Sequence, residues 1–375
     1  MAKVILVGPN LRSIINFRKE LIKKVIECGH DVVIVASNQN LDAKHVLCLK
    51  KMGVDFIGYP LNRNGLNVFF DLYSLFMLYK ILTTQKPDIV LAFTIKSVVW
   101  VGLISNILRD FKFFALITGL GYAFNATSFL STPLKKIASL LYRISLFRSE
   151  GVIFQNIDNL NYFRDAKIIS KSKSKSYKVS GSGVNLNFFE YKALPISGLN
   201  FLMIARLLHS KGVLEYCYAA EIMKKKNPEL RFLILGAFDP SPDGIKTQMI
   251  QNFTELGVVE LIDYADDVRP YIESCHIFVL PSYHEGLPKS ILEAMAIGRP
   301  IITTNVPGCR DTVINGVNGY LVESRNVNSL VDGIELMLSN KSDLERMGHE
   351  SRRLAVEIFD SRLVNNDMIN IMKLN

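Results

Sequence analysis

Short runs of β-branched and aliphatic residues recur along this chain, each followed by a stretch whose apolar residues fall at helical spacing. KVILVG (3–8) opens the series. Residues 14–28, IINFRKELIKKVIEC, then repeat apolar positions every three to four residues; Gly29 stops them, and DVVIVAS (31–37) is the next run. That is a β-α-β unit. The alternation continues with a helix over 67–85, the strand PDIVLAF (87–93), a helix over 96–108 and the strand FKFFALI (111–117). Strands that are apolar without a period of two are buried on both faces. The pattern therefore predicts parallel sheet covered by helices on either side.

A second series follows. LNFLMIARL (199–207) is a strand running into a loop. Next come a helix over 212–226, the strand RFLILGA (231–237), a helix over 244–256, and the strands VELIDY and HIFVLPSY. A helix over 288–297, the strand PIITT (300–304) and a helix over 327–338 close the pattern. Between the series, KSKSKSYKVSGSGVN (171–185) is polar, basic and rich in Gly and Ser, and reads as a boundary. A length of 375 residues suits two domains, each long enough to bury its own core. Two doubly wound α/β halves are expected.

Charge separates the halves. Residues 1–180 hold 25 Lys+Arg against 11 Asp+Glu, a net +14, whereas the remainder nets −5. A basic half faces an anionic partner, either nucleic acid or a membrane surface. No helix-turn-helix, zinc-finger or RNA-recognition signature supports nucleic acid. No G-x-G-x-x-G follows the first strand, which argues against a dinucleotide oxidoreductase. The five cysteines are scattered without a C-x-x-C pair, so reduced thiols are expected rather than a disulfide framework or zinc site. The chain passes straight from MAKVILVGPN into a strand pattern, so no signal peptide is expected. The mean hydropathy is high, +0.20, yet the longest uncharged run, Phe113 to Leu134, is broken by Gly119, Gly121, Asn125 and Pro133. It reads as buried strand and loop rather than a membrane span. STPLKKIASLLYRISLFRS (131–149) is a basic amphipathic candidate for an anionic surface. Leu134, Ile137, Leu141, Ile144 and Phe147 can share a face there, among Lys135, Lys136, Arg143 and Arg148. The aromatic stretch NVFFDLYSLFMLYKI (67–81) is a second candidate, better read as core.

Ligands of a doubly wound sheet bind beyond the carboxyl ends of its strands. There, HEGLPKSILEAMAIGRP (284–300) holds Glu285 and Glu293 with seven residues between them. Pro288 suits a helix start, and the helix end offers N–H groups and a positive dipole to an anion. Glu293 lies on the helix, about 7–8 Å beyond Pro288 at 1.5 Å per residue. Carboxylates accept hydrogen bonds from vicinal hydroxyls, so the pair can hold two sugars with a diphosphate between. The competing reading makes Glu285 a helix cap and Glu293 a surface charge. Another strand-end loop, ARLLHSKG, places Arg206 and Lys211 for a phosphate, a fork and a point charge respectively.

PSYHEGLPKSILEAMAIGRPIITTNVPG and MIARLLHSKG resemble the nucleotide-sugar motif and the Arg…Lys diphosphate clamp of retaining glycosyltransferases of family four, which have the GT-B fold. FLILG, SGVNLNFF and GVNGYLV are further landmarks, so the resemblance covers most of residues 178–360. INFRKEL, LITGLGYAF and IARLLHSKG resemble the subfamily that extends polyprenyl-diphosphate-linked sugars, among them bacterial N-acetylgalactosaminyltransferases and galactosyltransferases. The resemblance implies two Rossmann-like domains facing each other across a cleft. Residues 1–178 would meet acceptor and membrane, residues 179–358 would bind the nucleotide-sugar, and residues 359–375 would return as a helix to the first domain. It implies a UDP-sugar donor, a lipid-linked saccharide acceptor and an anionic membrane surface as partners. It implies no nucleic acid, no metal and no cofactor, and no Asp-x-Asp motif is present. The place of work would be the cytoplasmic face of the bacterial inner membrane.

Residue by residue, the resemblance implies that Arg206 and Lys211 bind the diphosphate and stabilise the leaving nucleotide. Glu285 would contact the transferred sugar and Glu293 the ribose, while Gly286, Leu287 and Pro288 bring backbone close to both. Many relatives carry a first-domain histidine near the reacting carbon. This chain has only His30 and His45 there, neither well placed; the matching strand end reads Ile117-Thr118-Gly119-Leu120-Gly121, with Thr118 as a substitute. Acceptor candidates are Gly8, Asn10, Arg12 and Arg18 around a loop GPNLRS (8–13), with Lys96 and Gly119. A same-face mechanism in which the leaving phosphate takes the acceptor's proton needs no protein base. The alternatives are a non-lipid acceptor, a sugar-nucleotide epimerase of the same fold, or a two-carboxylate glycoside hydrolase.

Overall fold

A computed structural model of the chain describes residues 1–39, 41–62, 67–119, 131–169 and 175–375, without the side chains of 131–134. The chain divides into two compact units, one of residues 1–182 with 362–375 and one of residues 183–361.

In the first unit the elements are β1 (Lys3–Asn10), α1 (Leu11–Glu27), β2 (Asp31–Ser37), α2 (Ala43–Lys51), β3 (Asp55–Tyr59), α3 (Val68–Gln85), β4 (Ile89–Phe93), α4 (Ile95–Ile107), β5 (Lys112–Ile117), α5 (Ser131–Ser145), β6 (Gly151–Phe154), α6 (Ile157–Asp165) and β7 (Ser176–Lys178). The sheet order is β3-β2-β1-β4-β5-β6-β7, and its paired strands run parallel. The direction of winding reverses between β1 and β4. Alternate residues of the strands feed two cores, as burial on both faces requires. In β1, Ile5 and Val7 join one core with α3, α4 and α5, while Val4 and Leu6 join the other with α1.

The second unit runs β8 (Asn200–Ile204), α7 (Val213–Lys226), β9 (Arg231–Leu235), α8 (Thr247–Glu255), β10 (Glu260–Ile262), α9 (Arg269–Ser274), β11 (Ile277–Leu280), α10 (Lys289–Ile297), β12 (Ile301–Thr304), β13 (Gly319–Val322), α11 (Val327–Ser339) and α12 (Leu344–Ile358). Its parallel order, β10-β9-β8-β11-β12-β13, reverses between β8 and β11. The last helix, α13 (Ser361–Met372), belongs to the first unit for nearly all its length. There Val364, Met368, Ile369 and Met372 complete the α1 core. The His30 ring ties the terminus down, accepting from Ala2 N at Nδ1 (3.1 Å) and meeting Leu374 O from Nε2 (3.0 Å).

Several details depart from the sequence reading. The expected loop at residues 8–13 is absent, because β1 runs to Asn10 and α1 starts at Leu11; the Asn10 side chain accepts from Ser13 N (2.8 Å) and caps the helix directly. Part of the expected linker is ordered as β7. Pro288 precedes the first residue of α10 instead of occupying it. Helix α3 is not a core helix. Only Ser74, Leu78 and Leu82 are fully buried, while Val68, Phe69, Leu72, Tyr73 and Phe76 face solvent. Of the apolar face expected over 131–149, Ile137, Ile144 and Phe147 are exposed, joined by Leu140, while Leu141 is half-buried against the core and the side chain of Leu134 lies outside those described. No described helix is long and apolar enough to cross a membrane; of the uncharged run 113–134, residues 120–130 lie outside the described residues.

Candidate donor site in the second unit

The winding of the second sheet reverses between β8 and β11, so the loops leaving these two strands diverge to opposite faces, the place where such sheets take ligands. The loop after β8 carries Arg206 and Lys211; the loop after β11 carries Glu285. Their backbones are in direct contact. Tyr283 N donates to Ser210 O (2.8 Å), and Gly212 sits at φ +71°, where an added Cβ would lie 2.1 Å from Pro281 O. Only glycine satisfies both the left-handed backbone and that approach.

This contact brings Lys211 and Glu285 together although they are 74 residues apart. Lys211 Nζ is hydrogen-bonded to Glu285 Oε1, and Ser282 Oγ donates to the same oxygen at 2.9 Å. Both side chains are largely shielded from solvent. From behind, the loop after β12 supports the pair: Glu285 N donates to Pro307 O (3.3 Å), and at Gly308 (φ +81°) a Cβ would come within 2.5 Å of Gly286 O. Gly286, Leu287 and Pro288 are buried and lead into α10, and among the described residues no side chain caps it. The reading of Glu285 as helix cap therefore fails. So does the reading of Glu293 as a surface charge: it is 8% exposed and pairs with Lys289 at 3.1 Å, one turn earlier.

Arg206 is half-exposed and donates through Nη1 to Asp239 Oδ2 (2.5 Å), leaving the rest of its fork turned to solvent. Burial pushes the Asp239 carboxyl up, but hydrogen bonds from Ser241 and from Arg206 outweigh it and hold the group below the usual carboxylate range. Asp243, four residues on, accepts from both N and Oγ of Ser210, and His209 N donates to Asp243 O (2.9 Å). The loop after β9 thus laces down the clamp loop. Tyr283 donates to Glu215 Oε1 (2.6 Å) under the Arg325 guanidinium, 4.6 Å from its ring centre. Burial, then the bond to Glu215, raises the phenol's pKa and keeps it protonated. Burial also lowers His284, against the opposing charge of Glu285, so that imidazole stays neutral.

Sequence reasoning missed Asp239, Asp243 and Ser282. The signal was present in FDPSPDG (238–244), a cluster of turn residues just past a strand end, but nothing in one sequence says that it folds across ARLLHSKG.

The first-unit candidates are dispersed by comparison. Gly8 makes room for Phe93 and Ile14, since a Cβ would lie 2.5 Å from the Phe93 ring. Arg12 is exposed in the first turn of α1. Lys96 bonds both Asp71 oxygens (2.7 and 3.1 Å) and Asn62 O (2.9 Å). Thr118 and Gly119 follow β5, half-buried; Leu120 and Gly121 lie outside the described residues. Arg18 differs from the others. It is 5% exposed on the inner face of α1, its guanidinium 5.3 Å from the Phe93 ring centre. Its Nη1 donates to Phe17 O (3.3 Å), while Nε has no partner and no carboxylate pairs with it among the described residues. Burial lowers its pKa to about 10. Thr94, directly after Phe93 at the end of β4, holds φ +70°, in a region a non-glycine residue rarely adopts.

Comparison with known proteins decides the family. Residues 192–354 match the family described as glycosyl transferases group 1, and residues 5–156 match the glycosyl transferase 4-like family. The chain belongs to glycosyltransferase family four. It has the GT-B fold of that family, and it is an enzyme of the glycosyltransferase class. Among curated relatives, it is 28% identical to a Campylobacter jejuni N,N'-diacetylbacillosaminyl-diphospho-undecaprenol alpha-1,3-N-acetylgalactosaminyltransferase, over 88% of this chain and 87% of that one. It is 25% identical to an Escherichia coli UDP-Gal:alpha-D-GlcNAc-diphosphoundecaprenol alpha-1,3-galactosyltransferase, over 72% and 71%. The Anabaena protein Alr3699/HepE, solved in complex with UDP-glucose, superposes with a TM-score of 0.78 at 15% identity, covering 100% of both chains. Among the described residues no group of three His, Cys, Asp or Glu side chains is placed to hold a metal ion.

Proposed function

We propose that this glycosyltransferase is a retaining enzyme that moves N-acetylgalactosamine or galactose from a UDP-sugar to a polyprenyl-diphosphate-linked saccharide. The observation that carries the donor half of the reading is the meeting of Lys211, Glu285 and Ser282 just ahead of the start of α10. A diphosphate bound there has the ammonium of Lys211, the open fork of Arg206 and the positive end of a helix around it. Charge builds on the leaving UDP as the glycosidic bond lengthens, so cations already in place lower the barrier. Lys211 and Ser282 hold the Glu285 carboxylate where it meets the hydroxyls of the transferred sugar; buried Glu293, steadied by Lys289, serves the ribose diol. The leaving phosphate takes the acceptor's proton on the same face. A hydrolase would need one carboxylate free to hand over a proton, and each is engaged by a lysine.

The acceptor half rests on two relatives whose names specify diphosphoundecaprenol-linked substrates, and on Arg18. A buried guanidinium without an anion is costly, and a diphosphate supplies the missing charge. The site of action is then the cytoplasmic face of the bacterial inner membrane. The test offers a panel of UDP-sugars, with EDTA present, to a short polyprenyl-diphosphate-linked N-acetylhexosamine and follows the product by mass. A gain of one hexose or N-acetylhexosamine supports the reading; UDP binding without transfer to any lipid-linked acceptor refutes its acceptor half.

A further inference from the structure

α3 has apolar residues on all sides. Such a helix is normally enclosed by protein or lies in lipid. Here one side packs through Leu78 and Leu82 into the core, and the other presents Val68, Phe69, Leu72, Tyr73 and Phe76, each more than half exposed and Phe69 86% exposed. Their spacing, i, i+1, i+4, i+5 and i+8, makes one continuous stripe. α5 repeats the arrangement with Ile137, Leu140, Ile144 and, just past its end, Phe147. The helices flank α4 in the layer on one face of the first sheet, and α4 adds exposed Ile107. Isolated exposed apolar residues need no explanation, but ten on three neighbouring helices do.

Charge identifies what covers them. The sequences of α3, α4 and α5 contain a single carboxylate, Asp71, and it is bound by Lys96 from within the layer. On the helices themselves the charges at the surface are cations, with Lys80 4.7 Å above the Phe76 ring and Lys136 and Arg143 exposed on α5; past the helix ends Arg109 and Arg148 are balanced by Asp110 and Glu150. A second copy of this face would set cation against cation. An anionic bilayer meets both features at once, since aromatic and aliphatic side chains enter the acyl boundary while long cationic ones reach the headgroups.

We propose that the outer faces of α3 and α5 form a docking surface for an anionic lipid bilayer, with Phe69, Leu72 and Phe76 of α3 as its inserting residues. The proposal deepens the lipid-linked reading and rests on it for the place of the reaction. The Asp71–Lys96 pair has a role in it: it neutralises the one carboxylate that these three helices carry.

The full chain is tested by co-sedimentation with vesicles of phosphatidylglycerol and phosphatidylethanolamine, and with pure phosphatidylcholine. The wild type is expected to bind the anionic vesicles and release them as salt rises. Phe69→Ser with Phe76→Ser should weaken that binding at least tenfold, while UDP still raises the melting temperature and transfer to a short-chain, water-soluble diphosphate acceptor is unchanged. Binding equal to wild type, or no binding by the wild type, overturns the proposal. So does a change from dimer to monomer in sedimentation velocity, which would make the face a protein interface. Transfer failing with every acceptor while vesicle binding is lost as expected would strike the proposed reaction and leave the docking surface standing.

Discussion

The two units treat their charged residues differently. In the second, Arg206, Lys211, Glu285 and Glu293 come from separate loops and a helix, and each is held by a named partner beyond the carboxyl ends of the strands. In the first, Asn10 caps a helix, Gly8 relieves packing and Lys96 neutralises Asp71, so their chemistry serves the fold itself. Arg18 stands apart from them, buried with Nε unpartnered and no carboxylate beside it among the described residues. A motif in sequence becomes a site where loops from two strands share backbone contacts; a scatter of polar residues near one strand end does not.

The sharpest break of that contrast is at Glu285. Glu285→Gln should lower turnover by about 100-fold or more, on the scale of losing one preorganised transition-state contact. It also frees Lys211, so UDP affinity should hold or rise. Steady-state kinetics with calorimetric UDP titration checks both, and a parallel loss of UDP binding would recast Glu285 as structural. Arg18→Met comes next. It should raise KM for a diphosphate-linked acceptor by about tenfold with little change in donor KM, and leave the melting temperature unchanged or higher because an unpaired buried charge is gone. A fall in stability with unchanged acceptor KM would place Arg18 with the fold-serving residues.

Smaller effects separate aiming from binding. Asp239→Asn loosens the Arg206 side chain and should raise donor KM roughly threefold to tenfold with a similar kcat. Lys96→Gln leaves the shielded Asp71 carboxylate without its cation and should cost roughly 1–3 kcal/mol of stability, measured by denaturant unfolding, while transfer to a soluble acceptor is unchanged. The smallest is a pH effect. Asp239 and Glu260 have folded-state pKa values depressed below their ordinary values, so the stability they add is present above the unfolded carboxylate range. It is lost as pH falls through those depressed values, and acid titration of the wild type against Asp239→Asn should show the difference narrowing there.

Much of the fold was legible because a parallel sheet leaves a strong mark: near-continuous apolar strands such as KVILVG and RFLILGA, separated by helical periods. The proposed donor site was legible where the chain itself holds the spacing, as with Glu285 and Glu293 on one loop and helix. Lys211 and Ser282 meeting on one Glu285 oxygen was not, since that depends on β8 and β11 lying side by side and so joining residues 74 positions apart. The second face of α3 was misread because composition gives apolarity and not direction. VFFDLYSLFMLYKI fits core and lipid surface equally until the position of Leu78 and Leu82 shows which side is taken.

On the proposed reading, the loops after β8 and β11 build one diphosphate site. Calorimetric titration of UDP into the wild type and Lys211→Met, without added metal, tests it most directly. Measurable UDP binding by the wild type is expected, with at least a roughly tenfold loss in the variant and the fold intact by circular dichroism. Equal affinity in the two proteins would contradict it.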